Sequence, residues 1–428
     1  MEESEKEPAT GNQSTGNGGF AHFILCYNSC MKKFSTLKDA ELKGKKVLLR
    51  AGFDVPIEKG KVMDTERIEA LLPTMKHVLK AGAALIILSH QGRPKGKVVA
   101  EYSQKPIVPI LKKLLKTDVA FASSCVGKEA TEKAKKLKPG EVLFLENLRY
   151  EPGEEKNDPV FAKKLAALGD VYVNDAFTNC HRSHASVVAL AKLLPAYMGL
   201  QLEKEVTHLS KVTEDPRHPL VLIISGAKME TKIPVIERFL DRGDDILLGG
   251  CIANTFIAAR GFDVGTSKYD EAFTEKAQEL MLEAEKEKKA DIAVPRDVVV
   301  ASAPDEKSQK IGLPVEDVVG DMSIFDIGKV TIERYKKIIE KAKMIVWNGP
   351  VGLYEMNRFS HGTKRLAEAI AAATKKGAIS IIGGGDTIDF HTRYKFPLSA
   401  YTFVSTGGGA MLEFIGGKPL PAIEALRK

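Results

Sequence analysis

The chain has 428 residues, of which 44% are hydrophobic and 28% charged, and a formal net charge of +7. That length exceeds the roughly 250–300 residues that one hydrophobic core sustains, so two domains are expected, with the composition of a soluble globular protein. The positive charge is spread over lysine–glutamate stretches such as Tyr335 to Lys343 and Glu285 to Lys289, which read as solvated helix faces. No clustered basic stripe or nucleic-acid-binding motif accompanies them, so no nucleic-acid partner is expected. No apolar run approaches the roughly eighteen residues of a membrane span, so no membrane association is expected either. The cysteines at 26, 30, 125, 180 and 251 form no CxxC pair and no zinc spacing. Scattered thiols of this kind suit a reducing, cytoplasmic location.

Residues 1–19 (MEESEKEPATGNQSTGNGG) are polar, rich in Gly, Ser and Asn, and aperiodic, which predicts disorder. The acidic start and the short apolar stretch Phe20 to Tyr27 do not make a secretory signal. Residues 1–33 are therefore set apart as a disordered extension, with Met31 as the expected natural start. Beyond it, short runs rich in Val, Ile and Leu alternate with helical patterns, the signature of parallel sheets built from βαβ units. Strands are expected near 46–50, 84–88, 118–121, 142–146 and 170–174. A second set follows near 220–224, 244–248, 291–294, 343–347, 378–382 and 401–405. Amphipathic helical stretches lie between them, among them Thr65 to Ala81 and Thr363 to Lys376. Leu202 to Val212 reads as a connecting helix, and the two prolines within Thr213 to Pro219 mark the best boundary. The fold class expected is α/β: two doubly wound, Rossmann-like parallel-sheet domains, 34–200 and 214–414, joined by a helix over 201–213.

The two halves end their strands in different chemistry. In open parallel sheets ligands bind beyond the carboxyl ends of the strands. The first half gathers Arg50, His90, Arg93, Arg149, His181, Arg182 and His184 there, with Arg67 near the start of a helical pattern. A lone Arg or His at such a place is usually structural. Several on one sheet edge make a receptor for phosphate and carboxylate groups. The second half instead gathers glycine turns. There is no GxxxxGK[ST] loop and no GxGxxG after the first strand, which excludes a P-loop enzyme and argues against a dinucleotide dehydrogenase. IIGGGDT (Ile381 to Thr387) and STGGGAML (Ser405 to Leu412) each follow a strand and precede a helical pattern, leaving backbone N–H groups to meet an anion. Asp386 in the first of them suits Mg²⁺. Lys228 and Lys232 lie four apart at the start of an expected helix, a spacing that puts both on one face. No nucleophile elbow, HExxH or Cys/His pair with recognisable spacing is present. Phosphoryl transfer needs none of these, because it runs on positioning and charge stabilisation.

These blocks resemble the phosphoglycerate kinase family. SHQGRPKG, LENLRYEPGEEKND, VNDAF…HRSHAS, GAKMETKI, WNGPVGLYE, IIGGGDT and STGGGAMLEF occur in the family's order, over about Lys43 to Leu426. The resemblance implies reversible transfer between 1,3-bisphosphoglycerate and ADP, giving 3-phosphoglycerate and ATP with Mg²⁺ in glycolysis, by a monomer. It implies a catalytic role for Arg67, Lys232, Gly385 and Gly408. Arg50, Asp54, Arg67, His90, Gln91, Gly92, Arg93, Arg149 and Arg182 would bind the phosphoglycerate. Lys228, Lys232, Gly328, Asn348, Pro350, Glu355, Gly384, Gly385, Asp386 and Thr387 would bind the nucleotide, with Asp386 holding the metal. The two sites would face each other across a central cleft closed by hinge motion. The last residues, 415–428, would return to complete the N-terminal domain.

The chain also departs from the family pattern. Where RVDFNVP is usual, it reads Arg50-Ala51-Gly52-Phe53-Asp54-Val55-Pro56, so Gly52 stands for the usual Asp and Asp54 for the usual Asn. Asp54 is expected to supply a displaced carboxylate for the substrate hydroxyl. Ser225, Thr231 and Cys251 replace a frequent Gly, Asp and Gly on the nucleotide side. Two alternatives stay open on these residues: a catalytically weakened nucleotide-binding scaffold, and a kinase for a related carboxylate or acyl phosphate.

Overall fold

The computed structural model describes residues 34–428 except Lys288; the expected extension 1–33, with Met31, lies outside them. The β-branched runs form parallel strands buried on both faces, as crossover connections require. In the first half these are β1 (Lys46–Ala51), β4 (Ala84–Leu88), β5 (Val119–Ala122), β6 (Val142–Leu145), β7 (Val171–Asp175) and β8 (Ala196–Met198), in the order β5-β6-β4-β1-β7-β8. β2 (Ile57–Glu58) and β3 (Lys61–Val62) make a small separate hairpin. In the second half β9 (Leu220–Ile224), β10 (Asp245–Leu248), β11 (Asp291–Ala293), β15 (Met344–Asn348), β16 (Ile379–Gly383) and β17 (Phe403–Ser405) run β11-β10-β9-β15-β16-β17. Each sheet reverses its winding next to its own first strand. The switch lies between β1 and β7, where Ala51 pairs with Asp175, and between β9 and β15, where Ile224 pairs with Asn348. Those are the two places where a ligand crevice must open.

Several local expectations are corrected. The stretch Thr65 to Ala81 is two helices, Glu66–Ala70 and Leu72–Lys80, because Pro73 restarts the chain in a first-turn position. A three-stranded antiparallel sheet of β12 (Asp297–Ala301), β13 (Ile311–Pro314) and β14 (Ser323–Ile327), in the order β13-β12-β14, was not expected. Lys228 and Lys232 do not share a helical face. Residues 225–232 are turns, and the helix begins at Ile233, with Pro234 in its first turn. Lys232 is buried there and Lys228 exposed.

The connecting helix spans Leu200–Glu214. At its start the backbone N–H of Leu202 donates to Asp175 Oδ1 at the end of β7 (2.8 Å). One turn further on, Glu205 accepts from Ser405 Oγ (2.7 Å), Thr406 N (2.7 Å) and Thr406 Oγ1 (2.8 Å) at the end of β17. One helix is thus bonded to the switch strand of the first sheet and to a glycine turn of the second. The C-terminal segment crosses back: Ala422 N donates to Cys180 O (3.2 Å), and Arg427 bridges antiparallel to Phe34.

Glu205 is fully buried, and burial pushes its carboxyl up to about 7 against the opposing pull of its hydrogen bonds. Its folded-state affinity for a proton therefore exceeds that of an unfolded glutamate. This term favours the folded state below about pH 4.5 and is progressively lost as pH rises towards 7. Thermal melts of wild type and Glu205→Gln across pH 5 to 8 should show wild type losing ground to the variant up to about pH 7. Melting curves that run parallel would show that Glu205 does not titrate in that window.

Candidate active site

At the first switch point, the guanidinium of Arg50 is fully buried at the end of β1. Its Nε donates to Ser186 Oγ (2.9 Å), one Nη to the carbonyl of Ala51, and the other to His90 Nδ1 (3.2 Å). Ser186 in turn donates to the buried carboxylate of Glu154 from its hydroxyl (2.6 Å) and its backbone N–H (2.9 Å). Arg50 therefore supports the wall from behind rather than lining it. Because a guanidinium only donates, His90 Nδ1 must accept, which leaves its proton on Nε2. That nitrogen lies 3.7 Å from Asp54 Oδ2.

Asp54 is half-buried, and its Oδ1 accepts from Gly92 N (3.0 Å), tying the strand end to the SHQGR loop. Gln91 is buried and fastens the same loop to Val55, its Nε2 donating to the carbonyl (2.5 Å). Gly92 has φ +58°, and a Cβ there would meet the Tyr102 ring at 2.4 Å, so only glycine fits. Arg149 donates to Gly92 O (2.7 Å) and is almost wholly buried. Burial, then the neighbouring Arg50 and Arg182, lower its pKa to about 10, so it remains a cation at neutral pH. Arg93 is exposed, and Arg67 and Arg182 are half-buried. Arg67 donates to the backbone carbonyl of Asp54.

The histidines report the local potential. Burial and then the arginine charges push His181 down to about 4, His184 to about 3, and His90 well below its ordinary value. All three are neutral at pH 7 beside several cations, so the wall is positive and suited to an anion of several charges.

At the second switch point, a cavity of about 560 Å³ opens beyond β9 and β15. Gly226, Gly250, Pro350, Tyr354, Glu355 and Asp386 are among its lining residues. A wider trough of about 900 Å³ lies at the opposite end, where Pro219 precedes β9 and Asp245 and Asp291 begin β10 and β11. It is at the wrong edge of a parallel sheet for a ligand crevice. Gly384, at φ +104°, caps the helix Gly385–Tyr394, which carries Asp386 in its first turn. Gly408, at φ +51°, caps the helix Gly409–Ile415. A Cβ at Gly385 or Gly408 would meet nothing within 4 Å, so their backbones face open space.

Asn348 fixes this site from the end of β15. Its Nδ2 donates to Gly383 O (2.9 Å), and its Oδ1 receives Lys232 Nζ (2.5 Å). Burial lowers Lys232 to about 8, with Asp386 pulling the other way. The Thr387 hydroxyl is used inside the turn, accepting from Gly349 N (2.9 Å) and donating to Gly383 O (3.0 Å). Gly328 caps the helix Lys329–Lys341 against Asp297 and is not among the residues that line the cavity. Asp326, which sequence reasoning missed, does line it. It is buried and accepts from Gly362 N (2.8 Å), and burial raises it to about 7. The FDIG stretch around it carries no signal that separates this aspartate from a surface one.

Comparison with known proteins agrees with this arrangement. A family profile described as phosphoglycerate kinase matches residues 37–418. The chain is 44% identical to the phosphoglycerate kinase of Prosthecochloris aestuarii, over 91% of its own length and 98% of that protein. It is 45% identical to that of Moorella thermoacetica, with the same shares covered. The structure of phosphoglycerate kinase from Coxiella burnetii superposes with a TM-score of 0.83 at 38% identity, covering 92% of this chain and 98% of that one. That from Pyrococcus horikoshii gives 0.80 at 34%, with the same coverage. With two switch-point sites of complementary chemistry and relatives aligned across nearly its whole described length, the chain belongs to the phosphoglycerate kinase family.

Proposed function

We propose that this chain catalyses reversible phosphoryl transfer from 1,3-bisphosphoglycerate to ADP, giving 3-phosphoglycerate and ATP in glycolysis, as a cytoplasmic monomer. No helix among the described residues is long and apolar enough to cross a membrane. The observation that carries the reading is the pairing of a cationic wall on one sheet with open glycine turns on the other. The domain of residues 34–200, completed by 415–428, would take the phosphoglycerate, and that of residues 214–414 the nucleotide.

His90, Arg93, Arg149 and Arg182 would hold the anionic groups of the phosphoglycerate, with Gln91 and Gly92 shaping their loop. Pro350 and Glu355 would line the adenosine pocket. Lys228 and the backbone of Gly384 and Gly385 would meet the nucleotide phosphates. Asn348 positions Lys232, whose ammonium would stabilise the transferring group together with Arg67 and the amide around Gly408. The acceptor is a carboxylate, already ionised at neutral pH, so no general base is required.

Among the described residues no group of three or more His, Cys, Asp or Glu is arranged to hold a metal. The exposed carboxylate of Asp386 stands alone beside the glycine turn. That donor set fits Mg²⁺, which keeps several waters and uses one or two carboxylates plus substrate phosphates. When bound, the ion would neutralise phosphate charge. Closure of the cleft would exclude water and bring the two walls together.

ADP release from ATP with Mg²⁺ should require 3-phosphoglycerate. Lys232→Ala should lower kcat by about 10²–10³, the usual cost of removing one charge-stabilising group. ATP binding without turnover that depends on 3-phosphoglycerate would overturn the reading. Asp54→Ala frees the SHQGR loop and should raise KM for 3-phosphoglycerate much more than KM for ATP; unchanged kinetics would reject a substrate-side role for Asp54.

A further inference from the structure

Gly52 follows β1 at the first switch point, directly beside Ala176, which follows β7. Its φ is not in the left-handed region, so its backbone would accept a side chain. The space would not. A Cβ built at Gly52 falls 2.9 Å from Thr178 Oγ1, closer than real Cβ atoms approach. The Thr178 hydroxyl therefore stands where a side chain from position 52 would project.

That hydroxyl lies beside Arg67 and the second glycine turn, two parts of the proposed transfer machinery. Thr178 is half-buried and lines a gap of about 10 Å³ with Gly52, Arg67, Ala176 and, from the other domain, Thr406. The segment that carries it abuts the second glycine turn, since a Cβ on Gly407 would strike the Phe177 ring at 2.3 Å. The hydroxyl donates to Asn179 Oδ1 (3.1 Å), so its oxygen keeps acceptor capacity.

We propose that Thr178 is a substrate-binding residue whose hydroxyl oxygen accepts a hydrogen bond from the C2 hydroxyl of the phosphoglycerate, in the space a side chain at position 52 would otherwise occupy. The proposal rests on the functional reading above. It makes positions 52 and 178 a coupled pair: one of them fills the space and the other must stay small. An uncharged acceptor here leaves the positive wall undiminished, which a carboxylate from position 52 would not.

The test compares 3-phosphoglycerate with 3-phosphooxypropanoate, which lacks the C2 hydroxyl, used as a competitive inhibitor. In Thr178→Val, KM for 3-phosphoglycerate should rise about tenfold, the scale of one lost hydrogen bond. The inhibitor's Ki and the KM for ATP should stay within about twofold. Thr178→Ser, which keeps the hydroxyl, should restore KM to near wild type. Gly52→Asp should raise KM by itself and recover when combined with Thr178→Gly. If Thr178→Val does not fold, Thr178→Ala gives the same comparison. An unchanged KM, or an equal rise in KM and Ki, would overturn the proposal. Wild type without turnover dependent on 3-phosphoglycerate would instead overturn the functional reading, before any variant is compared.

Discussion

The geometry of both sites depends on how one helix is held. The connecting helix Leu200–Glu214 meets the first sheet through Asp175 and the second through Glu205, and both carboxylates are buried. Burying a carboxyl is unfavourable unless its oxygens find donors. Gln201 of the same helix gives Glu205 one donor (3.4 Å), and Ser405 and Thr406 at the end of β17 give it three more. A shift of the glycine turn relative to the helix would strip that carboxyl of three donors, so the turn is clasped to the helix.

The electrostatics of the cationic wall follow a related logic. Arg50 and Glu154 are both buried, and Ser186 joins them through hydrogen bonds to each. Removing one partner from such an arrangement leaves an uncompensated charge in a medium that solvates it poorly. The pair is neutral overall, so it stiffens the wall without consuming the charge of Arg67, Arg149 and Arg182. The same burial that keeps His90, His181 and His184 neutral keeps the wall's charge on arginine. Guanidinium does not titrate near neutral pH, so the wall's potential does not vary across that range.

Much of this was legible in the sequence, because parallel strands buried on both faces leave continuous Val/Ile/Leu runs. All the long strands of the two large sheets fall within a residue or two of their expected places. The antiparallel sheet β12–β14 was not legible: β13 is mostly exposed and β14 half-buried, so neither reads as a buried run. Lys228 and Lys232 misled for a different reason. The i,i+4 rule presumes a helix, and the turn at Gly226 with Pro234 delays the helix past both. Arg50 sits at a strand end like the other arginines, and only three-dimensional contacts show that it points inward. Glu205 and Thr178 were invisible in principle. Each is defined by a partner far along the chain or across the switch point, and periodicity carries no such information.

The glycine turns show how a motif divides once geometry is known. In the sequence, Gly383 to Gly385 and Gly407 to Gly409 look interchangeable. In space, Gly383 and Gly407 are packing glycines, since a Cβ on them would collide with Met411 and Phe177. Gly384 closes the turn against Asn348 at a positive φ. Gly385 and Gly408 have nothing in front of them. A phosphate can approach a backbone only where no side chain of the protein already does, so the proposed anion contact in each triplet would fall to its open member and the amides beside it. The packing glycines serve a different end: Gly383 lets β16 lie close against Ser405 of β17, and Gly407 lets the second turn meet the Phe177 ring.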